Sequence, residues 1–171
     1  MTHEASDAAE PDRIELLVGQ WALERPDLDL DTMALVARLV RVAQLINGRI
    51  DELAAANGMH RGEGDVLFTL ARSGPPYRLS PSRLAASLLV TTGTMTNRLD
   101  RLEHRGLIRR LPNPNDRRSL DVELAGEGRR LVHDAVTVHV ANEAQMLAPL
   151  TPAERAELTR ITRKLIAHLE G

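Results

Sequence analysis

The chain of 171 residues is long enough for an ordinary domain with a real hydrophobic core, 43% hydrophobic and 27% charged, with a formal net charge of −2. Without cysteine it has no disulfide, no thiolate metal ligand and no thiol switch, and without an apolar run of roughly 20 residues it has no membrane span. Aromatic residues are only 2%, so Leu, Val, Ile, Ala and Met must build the core, which suits helix packing better than a sheet sandwich.

Residues 1–11 are acidic and lack a hydrophobic stretch, so they are expected to form a disordered tail, not a signal peptide, on a cytoplasmic protein. From Asp12 to Glu24 the pattern of Ile14, Leu16, Leu17, Val18 and Trp21 predicts a short amphipathic helix, closed by Arg25-Pro26. Asp31 is placed to cap a long helix to Asn57, whose apolar positions from Met33 to Leu53 recur every three to four residues. A third helix, Glu63 to Arg72, stops at the breaker Ser73-Gly-Pro-Pro76. Ser80-Pro81 supplies an N-cap and a first-turn proline for a fourth helix, and Thr91 caps a fifth that Gly106 ends. Residues 107–111 read as a strand. The prolines that follow lack N–H groups and read as a turn outside the ladder, and 119–124 read as the returning strand. Two helices close the chain, 127–146 and 152–169, the second opened by the capping box Thr151–Glu154.

This order predicts a mainly α (α+β) protein: a winged helix-turn-helix lobe over 62–126 with a two-stranded β wing. The N-terminal helices over 12–57 and the C-terminal helices over 127–170 flank it, in one compact domain overall. The second helix of such a lobe can enter a major groove about 12 Å wide while the hairpin reaches the adjacent backbone or minor groove.

Charge agrees. Arg78, Arg83, Arg98, Arg101, Arg105, Arg109, Arg110, Arg117 and Arg118 face only Asp100, Glu103 and Asp116, a local surplus of six positive charges on an acidic chain. That asymmetry suits a polyanion such as double-stranded DNA. The six histidines include no HExxH and no i,i+4 pair, so no metal is expected. No Gly-rich phosphate loop or GxSxG elbow is present, so neither an enzyme nor a cofactor is expected.

On the predicted fifth helix, at 100° per residue, Met95, Leu99 and Leu102 cluster within about 60° of arc and mark the buried face. Asn97 lies opposite, with Thr94 and Arg101 to one side, where all three can meet DNA. Arg98 falls on the flank, about 70° from the buried centre, and must find an anion: a ligand, or Asp65 or Glu103 in its absence.

The stretch from Arg101 to Gly128 resembles the wing signature of the MarR family of transcriptional regulators. It carries Asp116-Arg117-Arg118 at the wing tip and Leu124-Ala125-Gly126-Glu127-Gly128 at the next helix start. Ala125 replaces the threonine usual in the family, removing a side-chain cap at a cost of about 1 kcal/mol. Trp21 on an extra N-terminal helix, with Asp65, Arg98 and Arg110, is similar to the urate-responsive branch, in which those positions form a pocket for an anionic purine.

The resemblance implies a homodimeric repressor released from a pseudo-palindromic operator by urate or a similar small anion. Thr94, Asn97 and Arg101 would read bases, and Arg83, Arg117 and Arg118 would contact the DNA backbone or minor groove. The same four pocket residues also suit another aromatic or carboxylate ligand. A winged-helix protein–protein module without an operator is the alternative from another class, against which the surplus charge argues.

Overall fold

The computed structural model describes residues 12–114, 116 and 119–171. The expected tail over 1–11 and the wing-tip residues Arg117 and Arg118 lie outside the described residues. The chain divides into two compact units, one ending at Arg49 and one spanning Ile50–Gly171.

The first unit contains α1 (Arg13–Glu24) and most of α2 (Leu30–Ala56). Asp12 caps α1 in a reciprocal capping box with Glu15, satisfying two N–H groups that a helix start leaves bare. Arg38 of α2 reaches back to both acids, 2.8 Å from Asp12 Oδ2 and 3.0 Å from Glu15 Oε1. Asp31 is not the cap of α2. The helix begins at Leu30, and Asp29 accepts the Thr32 N–H at 3.0 Å because its side chain stands just before the first turn.

The second unit holds the winged-helix lobe. Helix α3 (Arg61–Arg72) starts two residues earlier than its sequence pattern suggests, and buries Val66, Leu67 and Leu70. Helix α4 (Pro81–Ser87) is capped by Ser80, and α5 (Thr92–His104) by Thr91, whose Oγ accepts the Thr94 N–H at 3.2 Å. Leu84, Met95, Leu99, Leu102 and Val122 complete a core in which each is at most 1% exposed.

The wing is a three-stranded antiparallel sheet, not a two-stranded one: β1 (Arg78–Leu79), β2 (Ile108–Pro112) and β3 (Leu120–Leu124), in the order β1-β3-β2. A two-residue strand is too short to show alternation in sequence, so β1 escapes pattern reading. Pro112 also belongs to the ladder, opposite Leu120. It is tolerated because β2 is an edge strand and the position is its last.

Helix α6 (Gly126–Met146) starts at Ala125 with no side-chain cap, as the missing threonine implies. Its start is fixed otherwise: the Ala125 N–H donates to Leu107 O at 3.0 Å, and a Cβ on Gly128 would stand 2.1 Å from that same oxygen. Gly128 is therefore where β2's entry and α6 touch backbone to backbone. Helix α7 (Pro152–Glu170) opens with the Thr151–Glu154 capping box. No described helix is long and apolar enough to cross a membrane.

Candidate nucleic-acid interface and anion crevice

Helix α5 divides its surface as its periodicity requires. Met95, Leu99 and Leu102 are buried, Thr94, Asn97 and Arg101 are exposed, and Arg98 is half-buried on the flank. Thr94 Oγ accepts from the Thr91 hydroxyl at 3.0 Å, while Asn97 has no partner among the described residues. Arg83 is exposed on α4.

The surplus of arginines is less bare than its count suggests. Arg101 Nε donates to Glu63 Oε1 at 2.5 Å, and Arg105 Nη1 lies 3.4 Å from Glu63 Oε2 and 3.0 Å from Gly58 O. Arg78 and Arg109 grip Glu123 from the two strands that flank β3. Arg110 donates to Glu103 Oε2 and to Asp100 Oδ1, each at 2.7 Å, and Glu103 Oε1 takes its backbone N–H at 3.0 Å. Thus Arg105 and Arg109, which the sequence offers only as general positive charge, have defined structural partners. Arg83 and Arg98 have no ion pair among the described residues.

The carboxylates respond accordingly. Burial alone would raise Glu63, but the Arg101 guanidinium and the His60 N–H outweigh it and hold the carboxyl below its ordinary value. Hydrogen bonds from Arg78 and Arg109 hold Glu123 low as well. Burial opposes the charge on Arg110, yet Asp100 and Glu103 raise its affinity for the proton.

Of the four residues singled out for a small anion, Arg110 is committed to Asp100 and Glu103, and the other three are placed as follows. Trp21 is exposed on α1, in the first unit. Asp65 lines an apolar cavity with Leu53, Ala54, Met59, Phe68 and His139. Arg98 lines a different crevice, with His60, Gly62, Thr94, Asn97 and Arg101. The ion pairs of Arg98 with Asp65 or Glu103 are not formed: Glu103 is held by Arg110, and Arg98 lies across the start of α3. A Cβ on Gly62 would stand 2.3 Å from the Arg98 Cζ, so a glycine there gives the guanidinium its seat.

Sequence reading missed Gly62, Glu63 and Glu123. Glu63 stands three residues after His60 at a helix start, where a capping-box acid is expected, and it does accept the His60 N–H at 3.3 Å. Glu123 sits on the polar face of an alternating strand, which pattern alone assigns to solvent, yet it is 8% exposed.

Residues 59–120 match the sequence model of the MarR family. The HTH-type transcriptional regulator PecS of Dickeya dadantii is 39% identical over 153 residues, covering 90% of this chain and 92% of its own. Among solved structures, Sco3205 of Streptomyces coelicolor, a MarR family regulator in complex with DNA, matches with a TM-score of 0.75 and 25% identity. That match covers 84% of this chain and 91% of Sco3205. A mutant MarR from E. coli complexed with operator DNA matches with a TM-score of 0.69 and 26% identity, over 81% of this chain and 98% of that one. On the extent of these matches and the lobe that carries them, the chain belongs to the MarR family of DNA-binding transcriptional regulators.

Proposed function

We propose that this regulator is a homodimeric repressor that binds a pseudo-palindromic operator and leaves it when a small anion such as urate is bound. The observation that carries the reading is the divided surface of α5. Its apolar face is sealed into the lobe, and its outer face offers Thr94, Asn97 and Arg101 together. In a major groove those three would read base edges, while Arg83, Arg117 and Arg118 would meet phosphates or the minor groove.

Surface chemistry supports the dimer. Leu39 and Val40 on α2, Val136 on α6, and Ile161 and Leu165 on α7 are each at least 39% exposed. Apolar stripes of this extent are normally covered by a second copy about a two-fold axis, which also spaces two recognition helices for successive grooves.

For the ligand, Arg98 is the strongest support. It has no ion pair among the described residues, and a guanidinium in a crevice favours a bidentate anion. Asp65 lies three residues from Gly62 on the same helix. An anion that joins the Arg98 crevice to Asp65, which lines a separate cavity, would have to shift α3 or α5, and a ligand that prefers the shifted shape releases DNA. Separate cavities for Asp65 and Arg98 also favour a second reading, in which a different carboxylate or aromatic ligand uses only one of them.

The test is a urate titration of the protein–DNA complex, wild type against Arg98→Ala, with Trp21 fluorescence followed in parallel. Release of the wild type but not of the variant is expected. Equal release of both, or release of neither, defeats the urate reading.

A further inference from the structure

The first turn of α3 carries a carboxylate that groove recognition by α5 leaves unexplained. Glu63 is 3% exposed, the most deeply buried of the four polar or charged residues hidden in the lobe among the described residues. A buried carboxylate persists only where its charge is paired and its lone pairs are used. Here both oxygens are engaged. Oε1 takes Arg101 Nε–H at 2.5 Å, and Oε2 takes the His60 N–H at 3.3 Å and lies 3.4 Å from Arg105 Nη1.

The bond to Arg101 has a particular geometry. Glu63 is hidden, but the Arg101 side chain is 51% exposed and projects from the outer face of α5. Only its Nε is used, and among the described residues its two Nη groups have no protein partner. An exposed arginine samples many rotamers, and that freedom must be surrendered when it docks on a base or phosphate. One tethered at Nε is already ordered, with the outer edge of the guanidinium left for the groove.

We infer that Glu63 is a positioning residue for DNA recognition. It presets Arg101 for the operator without touching DNA itself. The inference rests on the reading of Arg101 as an operator contact. It also makes a prediction of unusual sign. Removing an acid from a DNA-facing lobe strengthens binding to any duplex through the phosphates. Removing a preset contact weakens binding only to the correct duplex. Loss of Glu63 therefore lowers specificity while general affinity holds or rises.

The full chain tests this as Glu63→Gln, Arg101→Ala and the double variant. Glutamine keeps an acceptor for the His60 N–H but loses the charge. Affinity is measured by fluorescence anisotropy for a duplex selected from a random pool and for its scrambled counterpart. Glu63→Gln is expected to lower the selected-to-scrambled ratio about tenfold, with scrambled affinity unchanged or tighter. In the Arg101→Ala background the same change is expected to alter the ratio less than about twofold.

An equal loss in both backgrounds shows that Glu63 acts through the fold alone and overturns the proposal. So does an unchanged ratio in Glu63→Gln while Arg101→Ala loses it. If Arg101→Ala itself leaves the ratio intact, the base-reading role of Arg101 falls, and this proposal with it. Should Glu63→Gln not fold, Arg101→Lys decides. It keeps the charge on an exposed side chain but has no Nε–H for the tether, so a full wild-type ratio in that variant overturns the proposal.

Discussion

The winged-helix lobe and the helices outside it are built from the same aliphatic residues but end in opposite states. In the lobe, Val66, Leu70, Leu84, Leu102 and Val122 are fully buried. Helices α1 and α7 contain no buried residue, and α2 contains only Ala34. The lobe closes its core within one chain because short helices and a sheet converge on it from several directions. Long amphipathic helices present a stripe each, and a stripe needs a partner surface. The difference separates what one chain does alone, closing the lobe that carries α5, from what we assign to two chains together.

A charge placed in a stripe should separate the chains and spare the lobe. Ile161→Glu on α7 is expected to yield a monomer in sedimentation. Operator affinity should fall about 100-fold or more, because two linked half-site contacts become one. The helical circular dichroism of the chain should survive. A dimer with intact affinity would mean that α7 does not supply the interface.

Within the lobe, Gly128→Ala forces a Cβ to 2.1 Å from the carbonyl oxygen of Leu107, a backbone atom that cannot swing aside. A loss of about 2–3 kcal/mol, read from the denaturant midpoint, is expected. Glu123→Gln should cost about 2 kcal/mol by removing the charge that Arg78 and Arg109 share and one of the two oxygens that accept from them.

That pairing also gives a pH signature. The folded state holds Glu123 below its ordinary value of 4.5, so its contribution is complete above that value and is lost as pH falls through the depressed one. Wild type and Glu123→Gln should therefore differ at pH 7 and converge in acid.

The smallest effect on stability belongs to Gly62→Ala. The obstructing atoms are the end of the Arg98 side chain, which can swing away, so the expected change is within about 0.5 kcal/mol. The displaced guanidinium should nevertheless alter the response to an anion, measured as ligand concentration for half-release of DNA. An unaltered response would separate Arg98's seat on Gly62 from ligand sensing.

Much of the architecture is legible in the sequence, for local reasons. Ser80-Pro81, Thr91 and Thr151 announce helix starts through hydrogen bonds that involve only the next three residues. The face of α5 follows from helical periodicity, and the missing cap at Ala125 follows from its side chain alone. What the sequence hides is contact at a distance. Glu63 meets Arg101 across 38 positions, and Arg78 meets Glu123 across 45. The β1 strand exists only because β3 arrives beside it. Gly62 is similarly unremarkable until Arg98 is laid across it. An arginine surplus can be counted from sequence, but which arginines are already committed to carboxylates cannot.

Selecting duplexes from a random pool with the purified protein probes at once whether two chains pair and whether α5 reads the DNA. An enriched pseudo-palindrome is expected, with half-sites about 10 base pairs, or 34 Å, apart, and its enrichment disappears in Asn97→Ala. A pool with no enriched sequence, a single unpaired half-site, or a palindrome selected equally well by Asn97→Ala would contradict it.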